Sequence, residues 1–150
     1  MKAVIQRVSE ASVAIDGKLK SSILQGYLIL LGVAENDTDD DLEWLVNKIY
    51  NLRIFSDDEG LMNLSIEDVN GDILVISQFT LHAKTKKGNR PSYIEAAKPD
   101  IAIPFYEKFT QRLSDLMGKE IKTGEFGANM QVQLINDGPV TIIIDTKNKT

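Results

Sequence analysis

Between Gly26 and Gly32 the chain carries an unbroken apolar run, Tyr27-Leu28-Ile29-Leu30-Leu31. The run is far short of the roughly 20 residues needed to span a bilayer. Bounded by glycines and apolar on both of its faces, it reads as a strand buried on each side. Such a strand must be covered by two layers, and the rest of the sequence has to supply them.

The flanking segments switch between two periods. Val4, Gln6 and Val8 alternate with Ile5, Arg7 and Ser9, and Val13 and Ile15 mark one face of residues 12–16. Asp16-Gly17 then suits a two-residue hairpin, whose turn positions need positive φ. Five acidic residues fall within residues 35–41. They lack EF-hand spacing and read as a helix start, with Asp37 or Thr38 accepting from the first free N–H groups. Leu42, Leu45, Val46, Ile49 and Leu52 follow as a helical stripe. Residues 56–60 read as a turn. Asn70-Gly71 is a hairpin signal leading into a strand over residues 72–78. A second helix is expected from residue 99 or 100 to 117, with Phe105, Phe109, Leu113 and Leu116 on its apolar face. Pro104 is expected in its first turn and Gly118 at its left-handed end. Strands over residues 130–135 and 140–146 close the chain, with Asn136-Asp137-Gly138-Pro139 as a tight turn between them. The order of strands, helix, strands, helix, strands predicts an α+β fold: a single compact domain, 1–150, with a mixed or mainly antiparallel sheet and two main helices.

Composition removes several chemistries. There is no cysteine and a single histidine, His82. Disulfides, thiolate sites and zinc sites built on several imidazoles are therefore unavailable within one chain. No P-loop and no G-x-G-x-x-G occurs, which argues against triphosphate hydrolysis and dinucleotide redox chemistry. Lys plus Arg is 17 against 22 for Asp plus Glu, a net charge of −5. That excludes a uniformly basic coat but leaves room for a local basic patch. The N-terminal stretch lacks an apolar segment of signal-peptide length, so a cytoplasmic location with no membrane attachment is expected.

Four segments could carry chemistry. Ser77-Gln78-Phe79-Thr80-Leu81 ends an apolar strand with an amide and two hydroxyls, although a surfacing strand reads the same way. Asn136-Asp137-Gly138-Pro139-Val140-Thr141 is a turn by local signal. Lys84-Thr85-Lys86-Lys87-Gly88-Asn89-Arg90-Pro91 is the densest cationic run and can meet phosphates, or be a solvated loop. Thr123-Gly124-Glu125-Phe126-Gly127-Ala128-Asn129-Met130 brackets Phe126 with glycines, as a stacking surface for a base or as a buried anchor. His82 has no carboxylate partner fixed by the sequence, so a triad built on it is not favoured.

Taken together, the first two segments resemble the two signature motifs of the D-aminoacyl-tRNA deacylases, the D-tyrosyl-tRNA deacylase family. The resemblance extends through Met1-Lys2-Ala3-Val4-Ile5-Gln6-Arg7-Val8-Ser9-Glu10-Ala11-Ser12-Val13, Leu31-Gly32-Val33-Ala34, Asn51-Leu52-Arg53-Ile54-Phe55, Met62-Asn63-Leu64-Ser65, Arg90-Pro91-Ser92 and Thr123-Gly124-Glu125-Phe126-Gly127-Ala128. It implies a barrel-like homodimer with the active site at the subunit interface, acting on aminoacyl-tRNA without metal or cofactor. The implied reaction is hydrolysis of the ester of D-aminoacyl-tRNA, and of glycyl-tRNA mischarged on tRNA(Ala). The resemblance further implies that Ser77, Gln78, Phe79 and Thr80 line the ester, with the Phe79 and Thr80 amides as an oxyanion hole. Phe126 would lie near the terminal adenine, and Met130 would help wall the pocket. A cis Gly138-Pro139 peptide would reach into the partner's pocket and exclude L side chains. For the nucleophile, water assisted by the tRNA 2′-hydroxyl fits better than Thr80, which lacks a base. Lys84, Lys86, Lys87 and Arg90 are candidates for tRNA phosphates, by charge alone. His82, Asn89 and Asn129 depart from the family's usual Tyr, Arg and Asp. The alternative reading is a non-catalytic tRNA-binding or editing-like module.

Overall fold

The computed structural model describes all 150 residues. In chain order the elements are β1 (Lys2–Ile15), β2 (Lys18–Ile23), β3 (Gly26–Gly32), α1 (Asp39–Tyr50), β4 (Arg53–Ser56), β5 (Met62–Ser65) and β6 (Asp72–Ser77). A 3-10 turn (Phe79–His82), α2 (Pro99–Met117), β7 (Lys122–Thr123) and β8 (Met130–Asp145) complete it. The main sheet runs β2-β1-β3-β6-β7, with β8 added along the other edge of β1. Its pairs are antiparallel except β3 with β6 and β6 with β7. The Ser21 hydroxyl of β2 donates to the Thr123 carbonyl of β7 at 2.6 Å, which draws the two ends of that path together into a nearly closed barrel. The expected α+β class with two main helices and a mixed, barrel-like sheet is what the chain adopts.

β3 is covered on both sides, as its composition demands. Tyr27, Ile29 and Leu31 belong to the large cluster beneath the helices, with Leu45, Ile49, Phe109 and Leu113. Leu28 belongs to the smaller cluster on the opposite face, with Val8, Val13, Leu74 and Ile76. Burying a leucine or isoleucine side chain contributes about 1.5–3 kcal/mol.

α1 begins with a capping box, in which the Thr38 hydroxyl accepts from the Asp41 amide and the Asp41 carboxylate accepts from the Thr38 amide. Its buried side chains include Leu42, Leu45, Val46 and Ile49; Leu52 lies just beyond the helix and packs against the same core. On α2 the buried line is Ala102, Tyr106, Phe109 and Leu113, with Phe105 and Leu116 on its flanks. The Tyr106 hydroxyl donates to the Val75 carbonyl at 2.7 Å, tying this helix to β6.

Three expectations are corrected. Pro104 sits in the second turn of α2, because the helix already starts at Pro99. It lies on the exposed side, where water can take the carbonyl that its missing N–H leaves free. Asn70-Gly71 forms a turn but no hairpin, since β5 pairs with β4 while β6 runs parallel to β3. Residues 130–145 are one strand, not two strands around a tight turn. Both halves of β8 pair with the same 14-residue β1: Met130 to Asn136 against Ile15 to Val8, and Thr141 to Asp145 against Gln6 to Lys2. Residues 137–140 are therefore a bulge opposite the single residue Arg7.

Candidate active site

β6 ends where it loses its partner. Ser77 is its last residue in register with Leu31, and the Gln78 amide still donates to the Leu31 carbonyl at 2.7 Å. The chain then tightens into the 3-10 turn, with the Leu81 amide bonded to Gln78 at 3.2 Å and the Ala83 amide to Thr80 at 3.1 Å. The N–H groups of Phe79 and Thr80 open this turn and have no acceptor within it. The Gln78 side-chain amide donates to the Thr80 hydroxyl. Phe79 is half exposed and meets Tyr93 edge-on at 5.0 Å. No imidazole or carboxylate bonds the Thr80 hydroxyl. His82 is buried, makes no hydrogen bond to Thr80, and leaves its Nε2 without a partner.

The third wall comes from the segment after β7. A side chain at Gly124 would place its Cβ 2.4 Å from the Met130 sulfur and 3.2 Å from Ile76 Cδ1, so the Met130 side chain lies directly over this glycine and would have to shift for a larger residue. Met130 is thereby brought beside the end of β6. Phe126 is half buried, edge-on to Tyr106 at 6.4 Å, and packs against the main core. Burial pushes the Tyr106 phenol up, so its hydroxyl remains a neutral donor. Ser77, Gln78, Phe79 and Thr80 are thus gathered with Met130 and the Phe126 segment at one end of the barrel.

Gly138 and Pro139 are not part of that cluster. They form the exposed crest of the β8 bulge, and the peptide between them is cis. Gly138 has φ +128°, and an added Cβ would sit 2.9 Å from Val140 Cγ2 and 3.1 Å from an Arg7 guanidinium nitrogen. The bulge is braced from beneath. Arg7 is 8% exposed and donates to the Asp137 carbonyl at 3.1 Å and to the Ile54 carbonyl of β4 at 2.7 Å. The Asn136 side-chain amide donates to the carbonyls of Arg7 and Val140, each at 3.0 Å, and closes the base of the bulge. The sequence placed Asn136 in the second motif and Arg7 in the N-terminal match, but the bracing role of both was missed. The available signal was Arg7 itself, a charge on the same strand face as Ile5.

Register measures the separation. Ser77 aligns with Leu31, and Leu31 with Ala3, whereas the bulge faces Arg7. The two groups are four residues apart in register along the strands and three strands apart across the sheet. One chain does not bring them together.

Among the cations of residues 84–91, Lys84 is committed to Glu95 at 2.5 Å, and this hydrogen bond holds the Glu95 carboxyl below the usual carboxylate range. Lys86, Lys87 and Arg90 stand exposed on the loop closed by Lys84 and Ser92. No helix is long and apolar enough to cross a membrane.

Comparison with known proteins gives consistent results. The family described as D-Tyr-tRNA(Tyr) deacylase matches residues 4–145. A D-aminoacyl-tRNA deacylase of Bacteroides fragilis (strain YCH46) is 66% identical over 149 residues, covering 99% of both chains. One from Flavobacterium psychrophilum is 61% identical with the same coverage. Among solved structures, one titled "c-Myc DNA Unwinding Element Binding Protein" superposes with a TM-score of 0.92 at 44% identity, over 97% of this chain and 98% of that one. A probable eukaryotic D-amino acid tRNA deacylase shares the fold, with a TM-score of 0.83 at 17% identity over 95% of this chain and 97% of that one.

Proposed function

The chain belongs to the D-Tyr-tRNA(Tyr) deacylase family, and from that footing we propose that it is a cytoplasmic hydrolase releasing free D-amino acid and tRNA from D-aminoacyl-tRNA. In this reading it works as a homodimer, and the Gly138-Pro139 bulge of each subunit enters the other's pocket. The separation of that bulge from residues 77–80 within one chain carries the reading. An exposed, braced backbone crest has no substrate group to meet unless a second copy supplies it.

Water attacks the ester carbonyl, and the developing oxyanion is met by the Phe79 and Thr80 amides. The bond to the ribose 3′-oxygen breaks, and the proton passes to that oxygen with the help of the neighbouring 2′-hydroxyl. Thr80 has no adjacent base to make it a nucleophile, and its hydroxyl already accepts from Gln78. Met130 walls the pocket, and Phe126 lies toward the terminal adenine. Gly138 and Pro139 present backbone to the substrate Cα. A backbone wall clashes with an L side chain whatever its identity and accepts many D side chains. Glycyl-tRNA, with no side chain to exclude, is turned over by the same site. Lys86, Lys87 and Arg90 meet acceptor-stem phosphates, with Lys84 bracing the loop through Glu95.

The test is amino-acid release from D-tyrosyl-tRNA and L-tyrosyl-tRNA, side by side, by the wild type and Thr80→Ala. Rapid D-ester turnover with the L-ester spared is expected. Thr80→Ala should keep activity within about tenfold, whereas loss of a true nucleophile costs on the order of 10⁴-fold or more. A second reading, a nucleic-acid-binding module without catalysis, draws on the 44% identical structure, which is that of a DNA-unwinding-element binding protein. Tight tRNA binding with neither ester hydrolysed would establish it.

A further inference from the structure

A second positive surface lies away from residues 77–92. Two grooves, of about 340 Å³ and about 410 Å³, adjoin along Trp44, Lys48 and Leu52. Arg53 lines one and Ile143 and Lys149 line the other. The Trp44 ring gathers two ammonium groups, Lys149 at 4.5 Å and Lys48 at 5.6 Å from its centroid. The negative quadrupole of the indole face attracts such cations and holds them without neutralising them.

Three of the four acids of α1 are paired, and Asp40, one helical turn before Trp44, is the exception. Asp39, Asp41 and Glu43 of α1 are each matched by a cation, Lys108 at 2.7 Å, Lys147 at 2.6 Å and Arg112 at 2.9 Å. Lys48 and Lys149 make no ion pair, and Arg53 makes none but donates to the backbone carbonyl and side-chain oxygen of Asn63. Asp145, the one acidic side chain lining the grooves, faces Lys2 at 4.0 Å. Ile143 is 73% exposed on the floor.

The surface is continuous with the β8 bulge. Ile143 is four residues beyond Pro139, at most about 14 Å away along the strand. Arg53 precedes Ile54, whose carbonyl anchors Arg7 beneath the bulge. We propose that the Trp44 groove is an RNA-backbone contact, with Lys48, Lys149 and Arg53 meeting phosphates of the tRNA whose ester lies in the partner's pocket. The placement rests on the dimeric deacylase reading above, because there the bulge and the partner's substrate coincide. Each tRNA is then held by residues 84–91 of the subunit that hydrolyses it and by the Trp44 face of the other.

The test compares wild type, Lys48→Ala/Lys149→Ala and a control with the same charge change, Lys18→Ala/Lys20→Ala. Affinity for uncharged tRNA is measured by fluorescence anisotropy across a salt series, independently of turnover. The slope of log affinity against log salt should fall by about 1 for each lysine lost from a phosphate contact. The control should keep the wild-type slope. In deacylation, KM for D-tyrosyl-tRNA should rise several-fold at unchanged kcat, while D-tyrosyl-adenosine, which lacks phosphates, is hydrolysed as before. An unchanged salt slope overturns the proposal, as does an equal loss in the control. Competition by polyglutamate as effective as competition by tRNA assigns the face to an acidic protein instead. A wild type that binds tRNA through these lysines but hydrolyses no ester defeats the deacylase reading and leaves the RNA contact standing.

Discussion

Arg7 occupies a core-facing position on β1, and its guanidinium replaces apolar packing with two carbonyl bonds, to Asp137 and Ile54. The Ile54 carbonyl is buried and the Asp137 carbonyl partly so, and removing the donor from a buried acceptor costs about 1–3 kcal/mol. Arg7→Ala should therefore lower stability by that amount in urea unfolding. More tellingly, it should narrow the ratio of D-ester to L-ester hydrolysis, since the crest loses its brace. Arg7→Lys should not restore the ratio, because a single ammonium cannot span both carbonyls. Gly138→Ala acts at the crest itself. Its φ of +128° is one that L side chains rarely adopt, and the new methyl would press on Val140 and Arg7. The strain is on the order of 1–3 kcal/mol. A folded protein with D-tyrosyl-tRNA turnover reduced at least about tenfold is expected, and wild-type turnover would refute the role given to this residue.

At the scale of elements, α1 shows how a short sequence signal becomes a stable end. The Thr38 and Asp41 side chains satisfy two amides reciprocally, and Lys147 closes on the same carboxylate at 2.6 Å. Thr38→Ala should cost about 1 kcal/mol, a fall in Tm of about 2–4 °C for a domain this size. Burial alone would raise the Asp41 carboxyl, but the hydrogen bonds from Lys147 and Thr38 outweigh it and hold the group well below the usual carboxylate range. A carboxylate depressed in the folded state stabilises it above the unfolded value of about 3.9 and loses that contribution as pH falls further. Asp41→Asn should therefore be less stable than wild type at pH 7, with the gap constant down to about pH 4 and narrowing progressively below it, as read by denaturant midpoints. The helix was legible in sequence because cap, acidic first turn and apolar stripe agree. The Asp16-Gly17 hairpin was legible for the same reason, with φ positive at both turn positions. The β8 bulge was not. Asn136-Asp137-Gly138-Pro139 carries the composition of a tight turn, and only the length of β1, long enough to pair with both flanks, turns it into a bulge. Pairing between distant segments has no local signature. The motif residues 77–80 were found by resemblance, whereas the Arg7 and Asn136 braces emerge only when the bulge is seen in place.

For the whole molecule, the proposed site is divided between two copies, and that division is measurable. Gln78→Ala, at the head of the turn that carries the Phe79 and Thr80 amides, and Gly138→Ala should each lower turnover by the homodimer at least about tenfold. When the two are unfolded and refolded together, a mixed dimer regains one intact site from the unaltered halves. Random pairing should restore about one quarter of wild-type activity, and no recovery would place the whole site within one chain. The same β1 that templates both halves of β8 has a consequence for synthesis. Along its β8 edge, Lys2 waits for Asp145 and Ile15 for Met130, whereas the edge shared by β2 and β3 is filled early. During translation at about 5–20 residues per second, the first strand is made early and spends most of elongation with one edge open. Long-range pairing of this kind is slow, so the nascent chain has to keep β1 from other edges until its last strand leaves the ribosome.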